Sequence, residues 1–428
     1  MKFSIPLLLA VGASAFPTKI LEEAVKRDPT IVAKALEFLD VENLKRQEGA
    51  GGATAIFEPV PIFNADAQFI DVGPGSGHEF QAPGPNDQRG PCPGLNAFAN
   101  HPSYVPTPAN KNGVATVQQY IDATTEVVGM GTILAGFLSR LGATIDGDLT
   151  SWSMGGPPGG AGLLRGNGLI GSHNKYETDA SPVRPDLYQA GNNWQVVLSQ
   201  FEEMIAFSPG SLTLDSLTNF RSHRFDTQIA SNPYFFNGPF AGVAVQPAAY
   251  TFIFRFMANH SEADPTGFLS HETVASWFGV EGQPGSYSLV GGRTGFERIP
   301  ANWYRRAQEY PYEITYFIAD LLNAALLHPK FLAIGGNTNG PNTFTGVNLE
   351  DLTGGLINAG NLLEGNNLGC FVFQLSAQAK PDILLGLLDP LTDILGRVVS
   401  QLGCPQLRAI DEAQLRQFPG YQRAAVYG

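Results

Sequence analysis

Cys92 stands between two prolines in Arg89-Gly90-Pro91-Cys92-Pro93-Gly94-Leu95, which runs on into Asn96-Ala97-Phe98-Ala99-Asn100-His101. Pro91 restricts the approach to the cysteine. Pro93 suits the first position of a helix, where a missing N–H costs nothing. Cys92 then takes the N-cap and turns its sulfur toward the free N–H groups of Gly94 and Leu95. Those donors and the positive helix end favour thiolate over thiol. A thiolate held this way suits a haem iron that must cleave an O–O bond. A lone cysteine can also be an inert buried residue or an unpaired leftover.

Two further segments bring oxygen and charge together. In Tyr176-Glu177-Thr178-Asp179-Ala180-Ser181-Pro182-Val183-Arg184, the side chains of Glu177, Asp179 and Ser181 alternate. An extended segment would turn all three to one side, and the Thr178 carbonyl can add a fourth oxygen. Hard oxygen donors with two carboxylates suit Mg²⁺; a capped loop with solvated carboxylates has the same composition. In Phe254-Arg255-Phe256-Met257-Ala258-Asn259-His260-Ser261-Glu262, the arginine and glutamate are seven apart. On a helix they share a face, two turns apart. A carboxylate held beside Arg⁺ stays ionised and can act as a general base, or the pair can be a structural salt bridge.

Other motifs drop out. Gly166-Asn167-Gly168-Leu169-Ile170-Gly171 fits a dinucleotide fingerprint, but it follows a Gly/Pro-rich loop and leads into Ser172-His173-Asn174 rather than a helix. Asp146-Gly147-Asp148 mimics the carboxylate pattern without a following serine. The seven histidines do not cluster, and no zinc HExxH, CxxCH or GxSxG pattern occurs.

The elements that must position these residues are helical. Apolar residues recur at helical spacing over 113–142, 193–207, 212–231, 245–262, 310–327 and 370–402, while sustained alternation is scarce. Residues 53–90 read as loop. With 49 Gly and 31 Pro in 428 residues, the reading is all-α: mainly α with long Gly/Pro-rich loops, in a single domain. At 43% apolar and 11% aromatic the chain is globular. A net charge of −13 without a basic cluster excludes nucleic acid as a partner, and no stretch predicts a membrane span. Lys2, the apolar run Ile5 to Val11 and Ala13-Ser14-Ala15 read as a signal peptide over 1–15, and hence as secretion. Residues 16–46 read as a helical leader ending at Lys45-Arg46. They would be a pro-segment before a domain over 47–428, although such a pair can also be solvated helix-end charge. In an oxidising compartment two of the three cysteines should pair. A bridge between Cys370 and Cys404 would contribute roughly 3–4 kcal/mol in the chain-entropy model and leave Cys92 free.

Taken together, the segments resemble the chloroperoxidase-like haem-thiolate peroxidases, and within them the long-type fungal unspecific peroxygenases. The PCP motif with its G-L-N-x-x-A-N-H run matches 91–101. The magnesium motif matches at Glu177, Asp179, Ser181 and Arg184, with Thr178 in place of the family's glycine. The distal Arg–Glu pair matches Arg255 and Glu262. The resemblance spans about residues 80–405. It implies a single haem-peroxidase domain with haem b ligated by Cys92, and Mg²⁺ held by Glu177, the Thr178 carbonyl, Asp179 and Ser181. It also implies a Cys370–Cys404 disulfide. Glu262 would take the proton of hydrogen peroxide and Arg255 would orient Glu262, so that small organic substrates are oxidised or oxygenated. Tyr176, Met257 and Pro265 stand where aromatic or phenylalanine residues are usual, so the pocket differs in shape. A haloperoxidase and a pathway-specific secondary-metabolite oxidase would use the same haem site. A non-catalytic secreted metal-binding protein is the alternative outside enzymes.

Overall fold

A computed structural model describes residues 60–102, 104, 113–158, 166–358, 361–362, 367–376, 404, 407 and 410–422. The signal and leader over 1–46 lie outside the described residues. The main elements are helices: α1 (Pro93–Asn100), α2 (Val117–Val128), α3 (Thr132–Ile145), α4 (Leu198–Ala206), α5 (Leu214–Ser231), α6 (Gln246–Met257), α7 (His271–Phe278), α8 (Ile314–Leu327) and α9 (Asn367–Ser376). Strands are two or three residues long and pair antiparallel. Phe69–Ile70 pairs with Trp303–Tyr304, and Val114–Thr116 with Ser151–Ser153. The mainly-α reading holds.

Local chemistry sets several helix ends. Thr116 and Gln119 form a capping box at the start of α2, which Gly129 ends in the left-handed region at φ 70°. Thr213 and Ser216 cap α5 in the same reciprocal way. The periodic stretch 113–142 is therefore split. A short strand precedes α2, and the turn at Gly129–Gly131 starts α3, which packs back on α2. The stretch 245–262 is cut short as well: α6 ends at Met257, and Ala258 is already extended (ψ 141°). The stretch 370–402 is described only to Ser376. Within the loop read over 53–90, one helical turn (Ala65–Gln68) leads into the strand Phe69–Ile70.

One large core runs through these helices. Trp277 and Trp303 meet edge to face inside it, with Phe98 of α1 against Trp277. No helix among the described residues is long and apolar enough to cross a membrane. Leu169–Gly171 is a single 3₁₀ turn entered from Gly166 and Gly168 at positive φ, so the glycine-rich run there is not a dinucleotide loop.

Cys370 on α9 is bonded to Cys404, closing a sequence separation of 34 residues. Cross-linking a loop of that length removes denatured-state entropy. Cys404→Ser is expected to cost roughly 2–4 kcal/mol of unfolding free energy. Denaturant unfolding of the oxidised parent and the variant tests this, and coincident midpoints would show that the bridge constrains little.

Candidate active site

Cys92 is the N-cap of α1 and Pro93 its first residue, as the spacing predicts. The loop before it is fixed from several sides. Gly90 approaches Met154 so closely that an added Cβ would lie 1.6 Å from the Met154 carbonyl oxygen, so only glycine fits. Gly90 N–H donates to Asn96 Oδ1 (2.9 Å), and Asn96 Nδ2 donates back to the Gly90 carbonyl (2.9 Å). The same Nδ2 donates to Glu297 Oε1 (2.9 Å), which also receives Arg184 Nη2 (2.8 Å). Arg184 Nε reaches the Pro91 carbonyl (3.0 Å). One turn on, Asn100 Nδ2 donates to the backbone carbonyls of Gly295 and Glu297, both at 2.8 Å. Arg184 and Glu297 are 2% and 0% exposed, so this is a buried ion pair beside the cysteine.

Cys92 is half-buried and lines a cavity of about 270 Å³. Burial is the largest influence on its thiol and pushes it up. The N–H groups of Leu95 and Gly94 and the Arg184 guanidinium act against burial, and Glu297 acts with it. The helix-end donors therefore act as the spacing predicts, but burial outweighs them.

Much of the cavity wall comes from α6 and the π-helical turn Ala241–Val245 before it. That turn has the wide i→i−5 spacing, with Val245 N–H on the Phe240 carbonyl and Gln246 N–H on that of Ala241. Pro247 follows at once and has no N–H to continue the regular ladder. Ala244, Val245, Ala248, Ala249, Phe252 and Phe256 face the cavity from here, and Gln246 is the single polar side chain among them. Its amide is committed: Arg221 Nε donates to it (2.8 Å), and it donates to the Asp179 carbonyl (3.1 Å).

Glu177, Thr178, Asp179 and Ser181 all line the cavity, so the fold brings the expected oxygen set together. The chain is not a plain extended segment, however. Ala180 sits at φ 58°, held there by its N–H on Asp186 Oδ1 and by Tyr250 Oη on its carbonyl. The two carboxylates turn toward His173, with Nδ1 2.5 Å from Glu177 Oε2 and Nε2 3.3 Å from Asp179 Oδ1. Asn193 Nδ2 also donates to Glu177, and Phe236 N–H to Asp179 Oδ2. Burial disfavours the imidazolium, but the Glu177 and Asp179 carboxylates outweigh it and raise His173 to about 10. Among the described residues no group of three or more His, Cys, Asp or Glu side chains is arranged to hold a metal ion. His173 and Asn193 both bind Glu177 Oε2, while Asp179 Oδ1, 3.3 Å from His173 Nε2, is buried without a hydrogen bond among the described residues. His173 precedes Glu177 by one helical turn's spacing, and the interval H-x₃-E-x-D is the signal that could have found it.

The expected Arg255–Glu262 pair is not formed. The seven-residue spacing requires a helix through residue 262, and α6 stops at Met257. Arg255 instead makes a two-bond pair with Asp320 of α8, Nε to Oδ2 at 2.9 Å and Nη2 to Oδ1 at 2.7 Å. Tyr312 Oη donates to the same Oδ2 (2.6 Å). Glu262 is exposed and does not line the cavity. Glu297 and Asp320 were missed in the sequence because they lie 205 and 65 residues from the groups they serve.

The family described as Peroxidase, family 2 matches residues 78–308 of this chain. A dothistromin biosynthesis peroxidase of Dothistroma septosporum is 34% identical over 98% of each chain. An aromatic peroxidase of Fusarium equiseti is 36% identical over 84% of this chain and 86% of its own. An aromatic peroxygenase of Cyclocybe aegerita is 32% identical over 41% of this chain and 48% of its own.

Arg255→Leu is expected to destabilise the fold by about 3–5 kcal/mol, because it takes the guanidinium partner from the buried Asp320 carboxylate. Glu262→Gln should leave stability and peroxide consumption at parent levels. A peroxide step slowed by tenfold or more in Glu262→Gln would restore Glu262 as a base.

Proposed function

Since the chain belongs to the family 2 peroxidases, and is thus an oxidoreductase that uses peroxide, we propose that it binds haem b in the cavity, where Cys92 would hold the iron. The observation that carries this is the free cysteine at a helix N-cap opening onto a largely apolar, partly aromatic cavity. A flat apolar macrocycle with a metal at its centre fits a soft sulfur donor on one wall and hydrocarbon around it. Haem, when bound, supplies the iron that activates hydrogen peroxide for oxidation or oxygenation of a small organic substrate.

The chain's own residues divide the remaining work. Cys92 donates its sulfur, and the Gly94 and Leu95 N–H groups stabilise negative charge there. Phe252, Phe256 and the small side chains Ala244, Ala248 and Ala249 exclude water and shape the space for an apolar substrate. That wall offers no ionisable side chain to take the peroxide proton. A peroxide proton leaving on this face would need water or a hydroxyl of the substrate as its carrier.

A narrower reading has one observation in its favour. The dothistromin biosynthesis peroxidase aligns along 98% of both chains, whereas the Cyclocybe peroxygenase aligns along less than half of each. This supports a pathway-specific oxidase of one secondary metabolite over a broad-range peroxygenase. Export through the signal at 1–15, with removal of the leader after Arg46, completes the proposal. N-terminal sequencing of the secreted protein should begin near Gln47, and a start at Phe16 would keep the leader in the mature chain.

The ferrous carbonyl spectrum tests the ligand. The parent should show the thiolate-type band and Cys92→His a histidine-type band. An identical spectrum in the two proteins would assign the iron to another residue. Turnover of a panel of phenolic and polycyclic aromatics with peroxide then separates one substrate from many.

A further inference from the structure

Glu297 is a fully buried carboxylate that no motif announces, and it is joined to the Cys92 loop at two points. Its Oε1 receives Arg184 Nη2 and Asn96 Nδ2, while its Oε2 has no partner among the described residues. Arg184 lines the cavity beside Cys92 and holds the Pro91 carbonyl, and its Nη1 is also buried without a partner. A buried ion pair is a weak source of stability, since desolvating both charges offsets most of their attraction. Asn96 alone already closes the Gly90 loop through two hydrogen bonds. Arg184 holds the Pro91 carbonyl through a single bond that needs no carboxylate behind it, so backbone support does not account for the buried anion of Glu297. What they add is a field at the sulfur: Arg184 lines the cavity with Cys92 and holds the adjoining Pro91, and the Glu297 carboxylate is bonded directly to that guanidinium.

We infer that the Arg184–Glu297 pair sets how strongly the Cys92 sulfur donates to the iron, with Glu297 as the positioning residue that balances Arg184. This rests on the haem–Cys92 reading. A positive charge near a thiolate withdraws electron density from the iron and favours the reduced metal, and a buried anion beside that charge restores the donation. The balance depends on a charge 205 residues from the ligand, and not on the hydrogen bonds that fix the loop.

The test is the ferric/ferrous midpoint potential of the purified holoenzyme, with the ferrous carbonyl band recorded beside it. Glu297→Gln keeps an oxygen and a nitrogen in place but removes the anion, and its potential should move positive. Arg184→Gln should move it negative, and the double variant should return close to the parent. Glu297→Asp keeps the charge and should leave the potential near the parent value. If Glu297→Gln does not take up haem, the step from Arg184→Gln to the double variant reads the same charge removal and should again be positive. Equal potentials on these legs, with a thiolate band in every protein, overturn the inference alone. So does loss of haem from all three charge variants, which would make the pair a structural clamp. A parent without a thiolate band overturns the ligand reading along with it.

Discussion

The site depends on keeping a half-buried cysteine in the wall of a largely apolar cavity without letting its loop move. An N-cap cannot do this alone, because the free N–H groups of α1 orient negative charge but do not hold the backbone. The holding comes from Asn96 and Arg184, which reach back from the helix and from the 177–184 segment to the carbonyls of Gly90 and Pro91. Glu297 ties these two side chains to each other and to a distant part of the chain. Gly90 is the complement of that clamp, since the loop can lie this close to Met154 only without a Cβ.

The opposite requirement, a space with few polar groups, falls to α6 and its π-helical entrance. The wide turn at Ala241–Val245 and Pro247 just after it combine with small residues to leave room, and Phe252 and Phe256 add flat surface. Behind this wall Arg255 and Asp320 join α6 to α8, with Tyr312 sharing the carboxylate. Charge on α6 is satisfied on its far side, which keeps the near side apolar.

Between these walls the Glu177–Asp179 loop reaches electrostatic balance by a route the sequence pattern does not suggest. His173 sits between the two carboxylates, and both of them raise its pKa against the effect of burial. The left-handed Ala180 makes the sharp turn that lets Asp179 face His173 and Phe236 N–H together, and the Asp186 and Tyr250 hydrogen bonds offset its strain.

By itself the sequence determined the features that are local. Pro93 and Cys92 form a helix start because proline at the first position and an N-cap before it are properties of adjacent residues. The helical class followed from periodicity, and the family from a run of residues around Cys92. Only tertiary structure decided which charges meet. Arg255 and Glu262 share a face only if the helix continues, and its end at Met257 hands Arg255 to Asp320. Glu177 and Asp179 alternate whether or not a cation faces them, and the fold supplied His173. Glu297 carries no local signal, because a buried charge is selected by the partner it neutralises and that partner lies 113 residues away. Pairing across such distances is set by how helices pack, which no window of sequence contains.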